Sequence, residues 1–331
     1  MKKTVLAVLL ALCLVSVAVA ADSNRPNYRA ARPDVVPAGR VAVHPFVNVK
    51  EINAATVKIF TSDFDNDTVT IWSTKGKQLA QITGLSNPQA LAIDAKGNLY
   101  VANTGGSNIL VYASPYTKVK KTISDSGQYP VGISVLNNGE FIAVTNIFTT
   151  SDGPGSVTLY KNGKQTRNVT STAFSEDYFC AFDGNGNLYF DGKNASGDAA
   201  VGEIAKATTT GKTVTTLTTK NAIEFPGGVA VTSAGLIAVD DQEAFAVYTY
   251  KAPVKKSLGA PVHTTPLTGT GDPVAIAFNS TDKDVWTADA VNLDAAEYAY
   301  LKGGNAVTTF PLTGAAEPIG VAVSPASIPG K

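Results

Sequence analysis

Carboxylates are the side chains from which this chain could most readily assemble chemistry. It holds two histidines, His44 and His263, far apart in sequence, and two cysteines, Cys13 and Cys180. A Ser-His-Asp triad needs an imidazole base beside its nucleophile, and a zinc centre needs clustered His or Cys ligands. Neither constellation is present. The run Asp63-Phe64-Asp65-Asn66-Asp67 spaces three carboxylates at alternate positions, where they could converge on a calcium ion. An EF-hand loop would have Gly at its sixth place and Glu at its twelfth. Here those are Thr68 and Thr74, which leaves only a looser calcium site. A second set shares a recurring context. Asn87, Tyr129, Glu176, Phe225, Asp272 and Glu317 each stand directly before a short segment led by Pro or Asp and continued by apolar residues. If those segments are equivalent, the six residues share one location. Glu176, Asp272 and Glu317 could then hold a hard divalent cation through oxygen, or shift one another's pKa. Tyr129 and Phe225 would add a flat apolar wall of the kind ligand pockets use.

The segments are equivalent by spacing. Pro88, Pro130, Asp177, Pro226, Pro273 and Pro318 follow one another at intervals of 42, 47, 49, 47 and 45 residues. After Pro88 the chain reads as a strand, a Gly-bearing turn (Asp94-Ala95-Lys96-Gly97), a second strand ending at Asn103, a loop, and a third strand, Asn108 to Tyr112. Thr/Val-rich stretches such as Val214 to Leu217 supply a fourth strand. Four short strands per repeat of about 45 residues is the arithmetic of propeller blades. The ends complete the count. Before Pro88 there are a second, third and fourth strand but no first; after Phe310 there is a first strand, Pro318 to Val323, without partners. The sequence therefore predicts an all-β, six-bladed β-propeller of four-stranded blades, closed by the C-terminal strand completing the N-terminal blade. Closure removes the open edge of a linear stack.

The stretch from Pro88 to Tyr112 resembles NHL repeats, and the ring from about 55 to 324 looks like that broad superfamily. Such propellers host binders, scaffolds and enzymes alike, so the resemblance implies a fold rather than an activity. Gluconolactonase-type relatives share the six blades and hold a channel metal with Glu, Asn and Asp. This chain departs from them on its inner strands, whose third residues are Ala90, Gly132, Phe179, Gly228, Ala275 and Gly320. The sequence reading places these on the channel wall.

Residues 1–20 read as a signal peptide: Lys2 and Lys3, an apolar run from Val5 to Val19, and Ala18-Val19-Ala20 before the cleavage point. The run is too short for a stable membrane span. The expectation is an exported protein, periplasmic or extracellular, with no transmembrane span and monomeric. Residues 21–50 form an irregular Pro/Arg-containing leader with four of the five arginines, 51–326 the propeller, and 327–331 a tail. The leader reads as a solvated linker, or else as a basic arm for an anionic envelope surface. Loss of Cys13 with the signal leaves Cys180 unpaired, in an apolar strand where it reads as a small buried hydrophobe. A formal net charge of zero argues against nucleic-acid binding.

Charge is nonetheless segregated. The loops between second and third strands carry Asp63, Asp65, Asp67, Asp152, Asp191, Asp198, Asp240, Asp241, Glu243, Asp289 and Asp294, with Lys193 as their one base. The turns between third and fourth strands carry Lys75, Lys77, Lys161, Lys164, Lys206, Lys251 and Lys302. These patterns point first to a binding or scaffold protein whose acidic loop face meets a protein, small molecule or cell-surface component. The alternative is a metal-dependent hydrolase or lactonase using the carboxylates at the channel mouth.

Overall fold

The computed structural model describes residues 57–330, so the signal segment, the leader and His44 lie outside the described residues. Six antiparallel sheets surround a central channel in a six-bladed β-propeller. The innermost strands are Pro318–Ser324 (blade I), Pro88–Ile93 (II), Gln128–Leu136 (III), Glu176–Phe182 (IV), Pro226–Val231 (V) and Pro273–Phe278 (VI). Each packs against the next around the ring. Short strands with β-branched and aromatic residues leave both faces of every blade apolar. The core is therefore the set of blade-to-blade seams, filled by residues such as Ile59, Val144, Tyr178, Val239 and Trp286. The one helical element among the described residues is the 3-10 turn Thr104–Gly106.

The closure expected from the sequence is present. Pro318–Ser324 pairs antiparallel with Lys58–Asp63, with Val323 opposite Ile59 and Val321 opposite Thr61. Side chains reinforce the seam. Asp63 accepts the amides of Ala316 at 2.8 Å and Glu317 at 3.2 Å, and Asn66 Nδ2 donates to the Gly314 carbonyl at 2.9 Å. The Phe310 ring of blade VI lies 5.8 Å from Trp72 of blade I and 6.0 Å from Trp286 of its own blade. The two tryptophans thus pack at the seam where the ends of the chain meet.

Three features depart from the expected pattern. Two extra short strands, Ser257–Gly259 and Gly304–Asn305, add in parallel to the outer strands of the preceding blades, Thr215–Thr219 and His263–Thr268. The third inner-strand residue points between blades at Gly132 and Gly320, where the sequence reading put it on the channel wall. A Cβ on Gly132 would come within 2.2 Å of the Tyr178 carbonyl oxygen, and one on Gly320 within 2.2 Å of that of Gln89. Small residues there permit close approach of neighbouring inner strands. Finally, the tail crosses beneath the channel. Ser327 N donates to the Phe278 carbonyl at 3.3 Å and Gly330 N to that of Ser233 at 3.2 Å. Ala326, Ser327 and Pro329 floor a cavity of about 130 Å³ whose walls include Ile93, Val135, Phe182, Val231, Phe278 and Val323.

Truncation after Gly314 removes the closing strand, and a single cooperative thermal transition should be lost with it. The milder Asp63→Ala should cost about 1 kcal/mol of stability in denaturant unfolding, because it removes hydrogen bonds to the part-buried amides of Ala316 and Glu317. A truncated chain that melts as sharply, and at the same midpoint, as the full chain contradicts closure.

Candidate functional site at the channel mouth

Every blade presents two loops on the face opposite the tail: one between its second and third strands, and one leading into its innermost strand. Their arrangement is set by a recurring side chain at the end of the second strand. Asn103 Oδ1 accepts the Ser86 amide at 2.7 Å, Asp241 accepts those of Glu224 and Phe225, and Asp289 accepts those of Gly271 and Asp272. Asp63 does the same in blade I. In four of the six blades these Asx side chains pin the loop that leads into the inner strand at the mouth. Much of the acidity of the loop face is accordingly structural. Asp63, Asp191, Asp240, Asp241 and Asp289 are buried, whereas Asp65, Asp152, Asp198, Glu224 and Glu243 are exposed. The lysines of the opposite turns, from Lys75 to Lys302, are exposed.

The six mouth residues fall into two groups. On one side the Asp63–Asp67 loop lies between Glu317 and Asn87. Phe64 N donates to the Glu317 carbonyl at 2.9 Å, Asn87 N to Asp67 Oδ1 at 2.7 Å, and Asn87 Nδ2 to the Phe64 carbonyl at 3.2 Å. The Glu317 carboxyl is hydrogen-bonded to Asp65. Burial, reinforced by the charges of Asp65, Asp63 and Asp272, pushes its pKa up to about 8. A carboxyl in that position carries its proton at neutral pH and donates it to the Asp65 carboxylate. Asp272 is buried. On the other side Phe225 stacks with Tyr178, ring centroids 6.3 Å apart, and Tyr178 OH donates to Glu176 Oε2. Lys193 Nζ sits 4.2 Å above the Phe225 ring and 6.0 Å from that of Tyr178, a cation–π arrangement. Tyr129 is half-buried against the main core.

Among the described residues, no group of three or more His, Cys, Asp or Glu side chains is placed to hold a metal ion. Glu176 is engaged by a tyrosine hydroxyl, and Glu317 is engaged by Asp65. Within the Asp63–Asp67 run, Asp63 is taken up by main-chain amides and by Asn66. Sequence reasoning did not single out Tyr178 and Lys193. Tyr178 was masked by its place in an apolar strand, and Lys193 was noted only as the lone base of an acidic face. His263 is exposed on the outer strand of blade V, far from the mouth. Cys180 is buried, its pKa pushed up to about 12 by burial.

No protein-family model matches the chain, and no curated protein sequence does either. Solved structures do. A chain of a nidogen/laminin complex is similar over 81% of this chain and 98% of its own, with a TM-score of 0.63 and 16% identity. Virginiamycin B lyase from Staphylococcus aureus is similar over 80% and 84%, with a TM-score of 0.54 and 14% identity. Kuenenia stuttgartiensis hydrazine synthase covers 73% of each chain, with a TM-score of 0.54 and 15% identity. At such identities the likeness is one of fold. The class defined is the β-propeller, with six four-stranded blades, and its neighbours include both binding proteins and enzymes.

Titration of the mouth tests this electrostatic description. Glu317 should titrate near 8 by carboxyl-carbon NMR, and Asp65→Asn should bring it down toward its ordinary 4.5. Because the folded value is raised, Glu317 contributes stability below about 4.5 that is lost as pH rises toward 8. A wild-type midpoint near 4.5 contradicts the shared-proton arrangement.

Proposed function

We propose that this chain is an exported, periplasmic or extracellular binding protein that engages a cationic partner on its loop face. The observation that carries the reading is charge placement. Exposed acids (Asp65, Asp152, Asp198, Glu224, Glu243) gather on the loop face beside the half-buried Phe225, and outnumber its exposed base, Lys220, while the exposed lysines Lys75, Lys77, Lys161, Lys164, Lys206, Lys251 and Lys302 occupy the turns of the other face. A predominantly negative field over the mouth steers and orients a cationic partner. The nidogen/laminin neighbour, a propeller from a protein–protein complex, is consistent with such use.

The lyase neighbours favour it by contrast. One is described as a catalytically inactive histidine-to-alanine variant with quinupristin bound. Here His263 stands on an outer strand, and no imidazole lies among the described residues of the mouth. A carboxylate hydrolase would need its acid and base beside one substrate site. Glu176 and Glu317 instead answer to separate neighbours, Tyr178 and Asp65.

A lysine- and arginine-rich peptide is the simplest probe. Calorimetry should show binding that weakens steeply with added salt. Combined neutralisation by Asp65→Asn, Asp198→Asn, Glu224→Gln and Glu243→Gln should weaken it by about tenfold or more. Neutralising Lys75, Lys164, Lys251 and Lys302 should not weaken it. Equal affinity for the wild type and the acid-neutralised variant contradicts the reading.

A further inference from the structure

In every blade an irregularity in pairing interrupts the contact between the innermost and second strands near the mouth. Ser62, Ala102, Asp191 and Asp240 stand unpaired on the second strand at this break, and Thr145 and Ala288 hold the equivalent place in their blades at its edge, opposite Gly132 and Ala275. Where that residue bears a hydroxyl, it latches its blade to the next. Ser62 Oγ accepts the Gly320 amide of its own blade at 2.8 Å and donates to the Gln89 carbonyl of blade II at 2.6 Å. Thr145 Oγ1 donates to the Tyr178 carbonyl of blade IV. Asp191 repeats the first half of the Ser62 pattern, its Oδ1 accepting the Phe179 amide at 2.9 Å. Its Oδ2 is buried without a hydrogen-bond partner, and so are both oxygens of Asp240. A carboxylate can only accept; a carboxylic acid at this position can complete the latch.

We propose that Asp191 and Asp240 are proton-binding sites, each donating its proton to a main-chain carbonyl of the following blade, as Ser62 and Thr145 donate theirs. Protonation then tightens the IV–V and V–VI seams.

The surroundings agree. The groups acting on Asp191 are Asp177 and Cys180, and those acting on Asp240 are Asp241, Asp272, Asp191 and Tyr298. All are acidic, and the nearby Lys193 lies over the Phe225 ring. Burial first, and like charge second, hold both carboxyls well above the ordinary range. Within its own blade the backbone leaves Asp240 little room for water: a Cβ on Gly227 would lie 2.6 Å from Asp240 Oδ2. The sign follows. The stabilisation is complete below the ordinary carboxylate pKa and is lost as pH rises toward the raised folded value.

Asp191→Asn and Asp240→Asn keep a donor and an acceptor while removing the titration. At pH 8 each should raise the midpoint of thermal unfolding by roughly 2–4 °C, the gain shrinking toward pH 4. Infrared spectra at pH 7 should show the carbonyl stretch of a protonated carboxyl in the wild type and its loss in the double variant. An Asn variant that melts lower at pH 8, or does not fold, overturns the proposal. So does absence of the carboxyl band. Calcium that raises the wild-type midpoint but not the double variant's would show that the pair binds a cation rather than protons, and would overturn it equally.

Discussion

Everything at the mouth depends on two strands from opposite ends of the chain sharing one sheet. A blade buries its faces against its neighbours, and a row of such blades ends in two apolar faces and an unpaired inner edge. Pairing Pro318–Ser324 with Lys58–Asp63 removes both at once. The same contact fixes the geometry of the mouth. Asp63 anchors the amides of Ala316 and Glu317, and the Asp63–Asp67 loop then holds Glu317 on one side and Asn87 on the other. The acidic half of the mouth is a by-product of closure.

The use of one position for two purposes recurs round the ring. Asx residues at the ends of second strands look, in sequence, like a negative surface. In the structure Asp63, Asp241 and Asp289 are buried and hold main-chain amides, which satisfies donors that the tight approach to the inner strands would otherwise leave orphaned. What remains on the surface is a smaller set of acids, from Asp65 to Glu243, and these dominate the field over the loop face.

The ring was legible in the sequence because period and chemistry coincide. Pro-led apolar segments recur at nearly constant spacing, and the run of repeats opens without a first strand and closes with an unpartnered one. The buried state of Cys180 was legible too, because apolar strand context determines burial. Which face a residue takes was harder. The irregular pairing near the mouth shifts the alternation, which turns Gly132 and Gly320 from the expected channel wall into the gap between blades. Partners across blades were also hidden. Nothing local says that Lys193 lies over Phe225, or that Asp191 and Asp240 occupy the place where Ser62 and Thr145 make hydroxyl latches. One signal for the latter was available, since an acid inside an otherwise apolar strand is costly unless its proton or its partner is accounted for.

Native-state amide hydrogen exchange tests the central claim most directly. If the closing strand is integral to the ring, the amides of Gly320 and Ala322, which face Lys58–Asp63, should exchange as slowly as those of Ile59 and Ile71, through global unfolding alone. Exchange at Gly320 and Ala322 that is orders of magnitude faster, with Ile59 and Ile71 still protected, would show a propeller that holds together without its last strand and would contradict closure.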